Sequence, residues 1–212
     1  MDRAASDIST FSSGHIALWV KIVYTLYVCV LAPIYLLHYP PSNFLWFSDI
    51  ALLTTVVALW LESSLLASMM TLAILLPELV WNINFFLRLI FGIDEIGLSS
   101  YMFDPHIPLG VRALSLFHVV LPALLVWMVY RLGYDRRALM AQLLMGLVVL
   151  PVTYAVSDPS DNINWVFGPG TKPQHQLPPL LYLSLVMIFF PLVIYLPTHW
   201  ILSRLFRSAA KR

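Results

Sequence analysis

An all-α, polytopic membrane protein of about six transmembrane helices is the fold class this sequence predicts, with residues 1–212 forming one domain. Three observations predict it. Hydrophobic residues make up 60% of the chain and charged residues 11%, against about 25% charged in soluble domains. Apolar runs near 20 residues long recur, the length that crosses a bilayer. No link between them exceeds roughly 15–20 residues, which leaves no room for a soluble insertion.

The runs predict spans at about 15–37, 43–63, 65–91, 107–132, 137–156 and 177–206. The first follows MDRAASDISTFSSGH, which mixes acids with one arginine, lacks the basic start of a signal peptide and is expected to be retained. Pro40 and Pro41 form a helix-incompatible corner, and Ser42 and Asn43 then cap the second span. The third span carries Pro77 and ends in bulky aromatics, and the fourth contains FHVVLP. The links 92–106 and 157–176 are rich in Gly, Pro and Asn and carry Tyr101, Phe103, Trp165 and Phe167. That composition suits lids and binding loops, and equally suits interfacial packing. No internal repeat or low-complexity tract interrupts the chain.

A net charge of +1 gives no electrostatic case for nucleic acid. An even number of spans places both termini on one side with Arg3, Arg131, Arg136, Arg137, Arg204, Arg207, Lys211 and Arg212. The other side has only Arg88, Arg112 and Lys172 near it. The positive-inside rule then makes both termini cytoplasmic, in a bacterial-type inner or plasma membrane or an endoplasmic-type membrane. Cys29, the single cysteine, is expected as a buried, inert thiol. No HExxH, GxSxG or P-loop is present, so zincin, α/β-hydrolase and nucleotide-binding readings fall away. The histidines divide between the two faces, so a three-His zinc site lacks ligands, and neither metal nor cofactor is expected.

Asp49 stands inside an apolar span, where a carboxylate costs roughly 2.5–3.5 kcal/mol and by default marks function. At about 1.5 Å per residue, Ser48 and Asp49 fall on the order of 8–10 Å below the start of the second span. His118 falls roughly 16 Å below the start of the fourth. Glu78 lies near the middle of the third span, and Asn82, four residues on, shares its helix face. Tyr182 opens the sixth span on the same side. Groups so costly must face each other or a wet cavity. Each also has a structural alternative, in which Asp49 and Glu78 lock helices together and His118 is a satisfied core residue.

FLWFSDIALL, a proline-bearing third span ending in aromatics, and FHVVLPALLVWM together resemble the androgen-induced and androgen-dependent transmembrane hydrolases. The resemblance covers about residues 43–196. It implies a six-span lipid hydrolase that cleaves fatty-acid esters of hydroxy fatty acids, with a reactive Thr early in the second span and a His in an H-x-x-x-P segment. His118 and Pro122 match that segment. The family's Thr falls on Trp46, which has no nucleophilic group. In related six-span acyltransferases a Cys lies two positions later, which falls on Ser48. DNINWVFGPGTKP, residues 161–173, resembles the Asn-Tyr loop before their last span. The departure at Trp46 implies either a nucleophile moved to Ser48 or a lipid site kept without catalysis.

The expected function is therefore an intramembrane lipid-ester hydrolase or acyltransferase working from the outer leaflet. Ser48 is the expected nucleophile and His118 the base, with Asp49 or Glu78 orienting the imidazole. Asn82, or the loop of Asn162 and Asn164, is expected to donate to the oxyanion, and Trp46 and Tyr182 to contact substrate. Membrane lipid is the expected partner, alongside a homo-oligomer or a larger membrane complex. The alternative is a non-catalytic subunit or a lipid- or quinone-binding protein. A proton-coupled transporter using Asp49 and Glu78 is a weaker third reading, because the chain shows no repeat.

Overall fold

The computed structural model describes residues 16–93, 97–206 and 208; Arg3, His15, Arg207, Lys211 and Arg212, named above, lie outside the described residues. Apolar runs form α1 (Leu18–His38), α2 (Phe47–Leu61), α3 (Ser64–Phe91), α4 (Leu109–Leu114), α5 (Phe117–Leu132), α6 (Ala138–Val156), α7 (Pro179–Phe189) and α8 (Leu196–Leu205). A π-helical stretch, Phe190–Tyr195, joins α7 to α8. Pro191 and Pro197 each lack the N–H of a regular helical bond, which loosens the turn there. By length and composition five segments can cross a membrane: α1, α3, α4 with α5, α6, and α7 through α8.

The hub is α3, which packs against α2, α5, α6, α8 and the π stretch. Ser63 caps its start by accepting from Leu66 N at 3.3 Å, and Gly92, at φ +72°, ends it in the left-handed region. Ala67, Met70, Leu72 and Ala73 are fully enclosed. Small and large residues alternate at such contacts: Gly146 of α6 lies against the Tyr195 ring, whose hydroxyl would stand 3.3 Å from a Cβ there. Outer faces stay apolar, with Trp19, Leu37, Ile90, Val148 and Leu180 exposed, as befits helices facing lipid.

Three expectations are corrected. The second span does not begin as a helix at Asn43: Pro41–Leu45 is a 3₁₀ turn, and Trp46 at φ −55°, ψ 135° redirects the chain before α2. The 15 residues of α2 reach about 22 Å, short of the ~30 Å hydrocarbon core. The cause is local. Asn164 Oδ1 accepts from Phe47 N at 3.0 Å while Asn164 Nδ2 donates to Leu45 O at 2.7 Å, which pins the helix start. Ser48 and Asp49 therefore occupy the first turn of α2.

The fourth span is likewise interrupted, at Ser115 and Leu116, between α4 and α5. Leu114 O accepts from the Tyr27 hydroxyl, and His118 N reaches only to Ser115 O, at 3.2 Å. His118 thus sits in the first turn of α5. The third correction is Cys29, which is exposed, because α1 buries the face of Tyr24, Val28, Leu31 and Tyr35 instead.

Candidate functional site

The two helix starts created by these breaks, with the midpoint of α3, enclose a cavity of about 390 Å³. Ser48, Asp49, Glu78 and His118 all line it, and so do Trp46, Asn162 and Asn164. Residues from α1, α2, α3, α5, the π stretch, the break at Ser115 and three longer links thus converge, although they are scattered from position 35 to position 190.

His118 is the best-held group. Its Nδ1 lies 2.9 Å from both Glu78 Oε1 and Glu78 Oε2. A carboxylate so centred accepts, so Nδ1 carries the proton and the Nε2 lone pair is left for other chemistry. Nε2 has no hydrogen-bond partner among the described residues. Trp81 and Phe117 stack on the imidazole, at centroid distances of 4.6 and 4.1 Å, and prevent it from swinging.

Asn82 holds this pair from behind. Pro122 has no N–H to give His118 O, the carbonyl four residues before it. Asn82 Nδ2 supplies that bond at 2.8 Å and also donates to Glu78 O at 2.7 Å. Asn82 does not line the cavity, and its amide is committed to backbone. It braces the Glu78–His118 pair and cannot be the oxyanion donor the sequence suggested.

Asn162 and Asn164 are committed in the same way. Asn162 Nδ2 donates to Gly168 O at 2.8 Å and Gly170 O at 2.9 Å, and its Oδ1 accepts from Phe167 N and Gly168 N. Asn162, Asn164 and Trp165 all have positive φ, at 43°, 51° and 59°. Asparagine visits that region readily, tryptophan rarely. The asparagine bonds hold the strained turn that sets Trp165 in the cavity wall. Gly168 completes the loop, since a Cβ there would meet Lys172 O at 2.3 Å.

Asp49 differs from all of these. It is 3% exposed, and its Oδ1 makes no hydrogen bond among the described residues. It does not orient His118, as Glu78 does that alone. Ser48 Oγ also makes no hydrogen bond to a described group, His118 included. Backbone N–H groups of Ser48 and Asp49, in the first turn of α2, lack intrahelical acceptors as all helix starts do; the next amide, Ile50 N, already bonds Trp46 O at 2.9 Å.

Tyr182 lies outside the cavity. It lines a second, apolar hollow of about 450 Å³ with Leu185, Val186 and Phe189, and the two hollows share a wall of Leu98, Trp165, Gly170 and Phe190. Tyr35 and Ser115 were not foreseen as site residues, and Tyr101 only as an aromatic of a possible binding loop. Tyr35 Oη and Ser115 Oγ lie 2.6 Å apart, and burial pushes the Tyr101 phenol well up, so it stays an O–H donor. For Tyr35 and Ser115, a phenol and a hydroxyl inside apolar runs were the only signal. Among the described residues no three His, Cys, Asp or Glu side chains gather as a metal set.

Comparison with protein-family models, with curated proteins and with solved structures finds no match to this chain.

Proposed function

We propose that the chain is an intramembrane acyl-ester hydrolase or acyltransferase that uses Ser48 as nucleophile and His118 as base. The observation that carries it is the imidazole held through Nδ1 by Glu78, with Nε2 unpartnered beside a cavity that Ser48 also lines. Ser48 Oγ attacks the acyl carbonyl and passes its proton to Nε2. The ester C–O bond then breaks, and His118 returns the proton to the leaving alcohol. Water or a second alcohol resolves the acyl-serine, giving hydrolysis or transfer respectively. The two free amides at the start of α2, on Ser48 and Asp49, are the oxyanion donors in place of the asparagines. Ser48 and His118 close on each other when substrate fills the cavity, since catalytic hydrogen bonds commonly tighten only then.

A cavity lined by Asp49, Glu78 and His118 that adjoins an apolar hollow along Trp165 and Phe190 suits an amphiphile, head in the first and acyl chain along the second. The Lys and Arg distribution supports cytoplasmic termini, so that the cavity faces the outer leaflet. The resemblance of the His118–Pro122 segment and of Leu45 to Asp49 to six-span lipid hydrolases points to the same chemistry.

The test is fluorophosphonate labelling of purified protein. Wild type is expected to label, and Ser48→Ala and His118→Ala are expected to lose labelling. Unchanged labelling in both variants would sink the assignment. Trp46 at the family's nucleophile position favours a second reading, a non-catalytic lipid- or quinone-binding subunit, for which wild type would not label at all.

A further inference from the structure

Glu78 accounts for the orientation of His118, and Ser48 with His118 for acyl transfer; Asp49 is used by neither. Yet Asp49 is 3% exposed, lines the cavity and has an unpartnered Oδ1. A carboxylate withdrawn from water needs a partner, and inside a membrane domain such a group marks a ligand's place. The rest of the lining says what that partner is. Among the described residues around the cavity there is no Lys or Arg, so no fixed cation of the protein neutralises Asp49. Asp161, exposed and also part of the lining, adds a third acid to Asp49 and the His118-bound Glu78. Tyr35, Tyr39, Trp46, Tyr101 and Trp165 bring Tyr or Trp rings to the same space. The faces of such rings attract cations, and an aromatic cage with a carboxylate is the chemistry that recognises an ammonium group. A phosphate would find no guanidinium or Lys ammonium there to hold it.

We infer that the cavity binds the ammonium head of an amine-bearing lipid, with Asp49 as counter-ion and the Tyr and Trp rings as cage. The acyl chain follows the wall of Trp165 and Phe190 into the apolar hollow at Tyr182. This rests on the lipid-ester reading above and names its substrate class, ester lipids with a cationic head.

The experiment titrates purified protein in dodecyl maltoside micelles with dodecyltrimethylammonium, dodecanol and tetramethylammonium, read by tryptophan fluorescence. Wild type is expected to bind dodecyltrimethylammonium at least about tenfold more tightly than dodecanol. Tetramethylammonium, which lacks the chain, is expected to bind at least about tenfold more weakly than its dodecyl relative. Asp49→Asn is expected to erase the preference over dodecanol, and Asp49→Glu to keep part of it. Equal binding of the two dodecyl compounds by wild type, a measurement that needs no variant to fold, would overturn the proposal. So would an unchanged preference in Asp49→Asn. Tetramethylammonium binding as tight as the dodecyl compound would overturn the lipid assignment in favour of a free amine. Fluorophosphonate labelling of the same wild-type sample separates the two readings. Labelling without ammonium preference discards the cage and keeps the hydrolase; ammonium preference without labelling keeps the cage in a lipid-binding protein.

Discussion

The two polar ends of this bundle are built on opposite plans. At the end where α1 begins, charges and hydroxyls close on one another. Lys21 Nζ meets Glu62 Oε1 at 2.7 Å, and Ile16 N donates to the same oxygen at 3.1 Å. Tyr134 Oη lies 2.7 Å from His199 Nδ1, and Arg137 clasps Asp135 while Asp135 N donates to Ser68 Oγ. At the other end, Asp49 and Ser48 side chains make no hydrogen bond among the described residues around a cavity, and His118 Nε2 has no partner among them. Polar groups of the first kind tie helices together. Those of the second are kept at a cost in stability, as functional sites are. The comparison predicts that substitutions will separate: activity lost at the cavity end, stability lost at the closed end.

Glu78→Gln tests this with the largest expected effect. A glutamine amide can donate to Nδ1, which would move the imidazole proton to Nε2 and remove the base. Fluorophosphonate labelling should slow roughly 10²–10⁴-fold, with little change in thermal unfolding. A rate within twofold of wild type would erase the functional half of the comparison.

At the closed end the expected loss is in stability. Lys21→Met removes the ammonium that meets the Glu62 carboxylate, whose side chain is 11% exposed, at 2.7 Å. Breaking an enclosed pair on one side costs on the order of 3 kcal/mol. Denaturant titration should register that loss while labelling per folded molecule stays at the wild-type rate.

Between the two ends stands Asn82, which braces the Glu78–His118 pair without touching the cavity. Asn82→Leu strands only the carbonyl of His118, since Glu78 O keeps its bond from Asn82 N within α3, and should cost about 1–3 kcal/mol. Pro122→Ala restores an N–H for His118 O, so in the Asn82→Leu background it should recover part of the loss. Additive effects in that double-mutant cycle would show that the proline does not create the need for Asn82.

How much of this was legible in the sequence follows from what is local and what is not. Hydropathy is a property of each run, so α1, α3, α6 and the long last helix could be read directly. The expense of Asp49, Glu78 and His118 in apolar surroundings pointed to one shared space, and these three side chains, together with Ser48, do line one cavity. Which groups bond within it depends on helix rotation, which packing sets and one sequence does not encode visibly. Hence Asp49 and Glu78 were interchangeable as orienting acids until Glu78 was found on Nδ1. The break at Ser115 was hidden because its cause is remote: Tyr27 on α1 takes the Leu114 carbonyl. The short α2 was hidden similarly, since Asn164, more than a hundred residues away, sets its first residue. Asn162 and Asn164 were expected as oxyanion donors, but their amides bond the backbone that builds the loop.

The smallest expected effect belongs to Asp135, in the link between α5 and α6. The Arg137 guanidinium, which donates to it at 2.7 Å, holds its carboxyl below the usual aspartate range. A carboxyl whose folded value is depressed binds fewer protons than the unfolded chain in that window. Its stabilisation is therefore complete above the ordinary aspartate value, about pH 4, and is lost as pH falls through the depressed one. Arg137 is 79% exposed, so water screens the pair and leaves it a small contribution. Asp135→Asn should thus flatten the fall of stability below about pH 4 without moving the labelling rate at neutral pH. An unaltered acid limb would mean that Asp135 N, through Ser68, and not the Asp135 carboxylate, ties this link to α3.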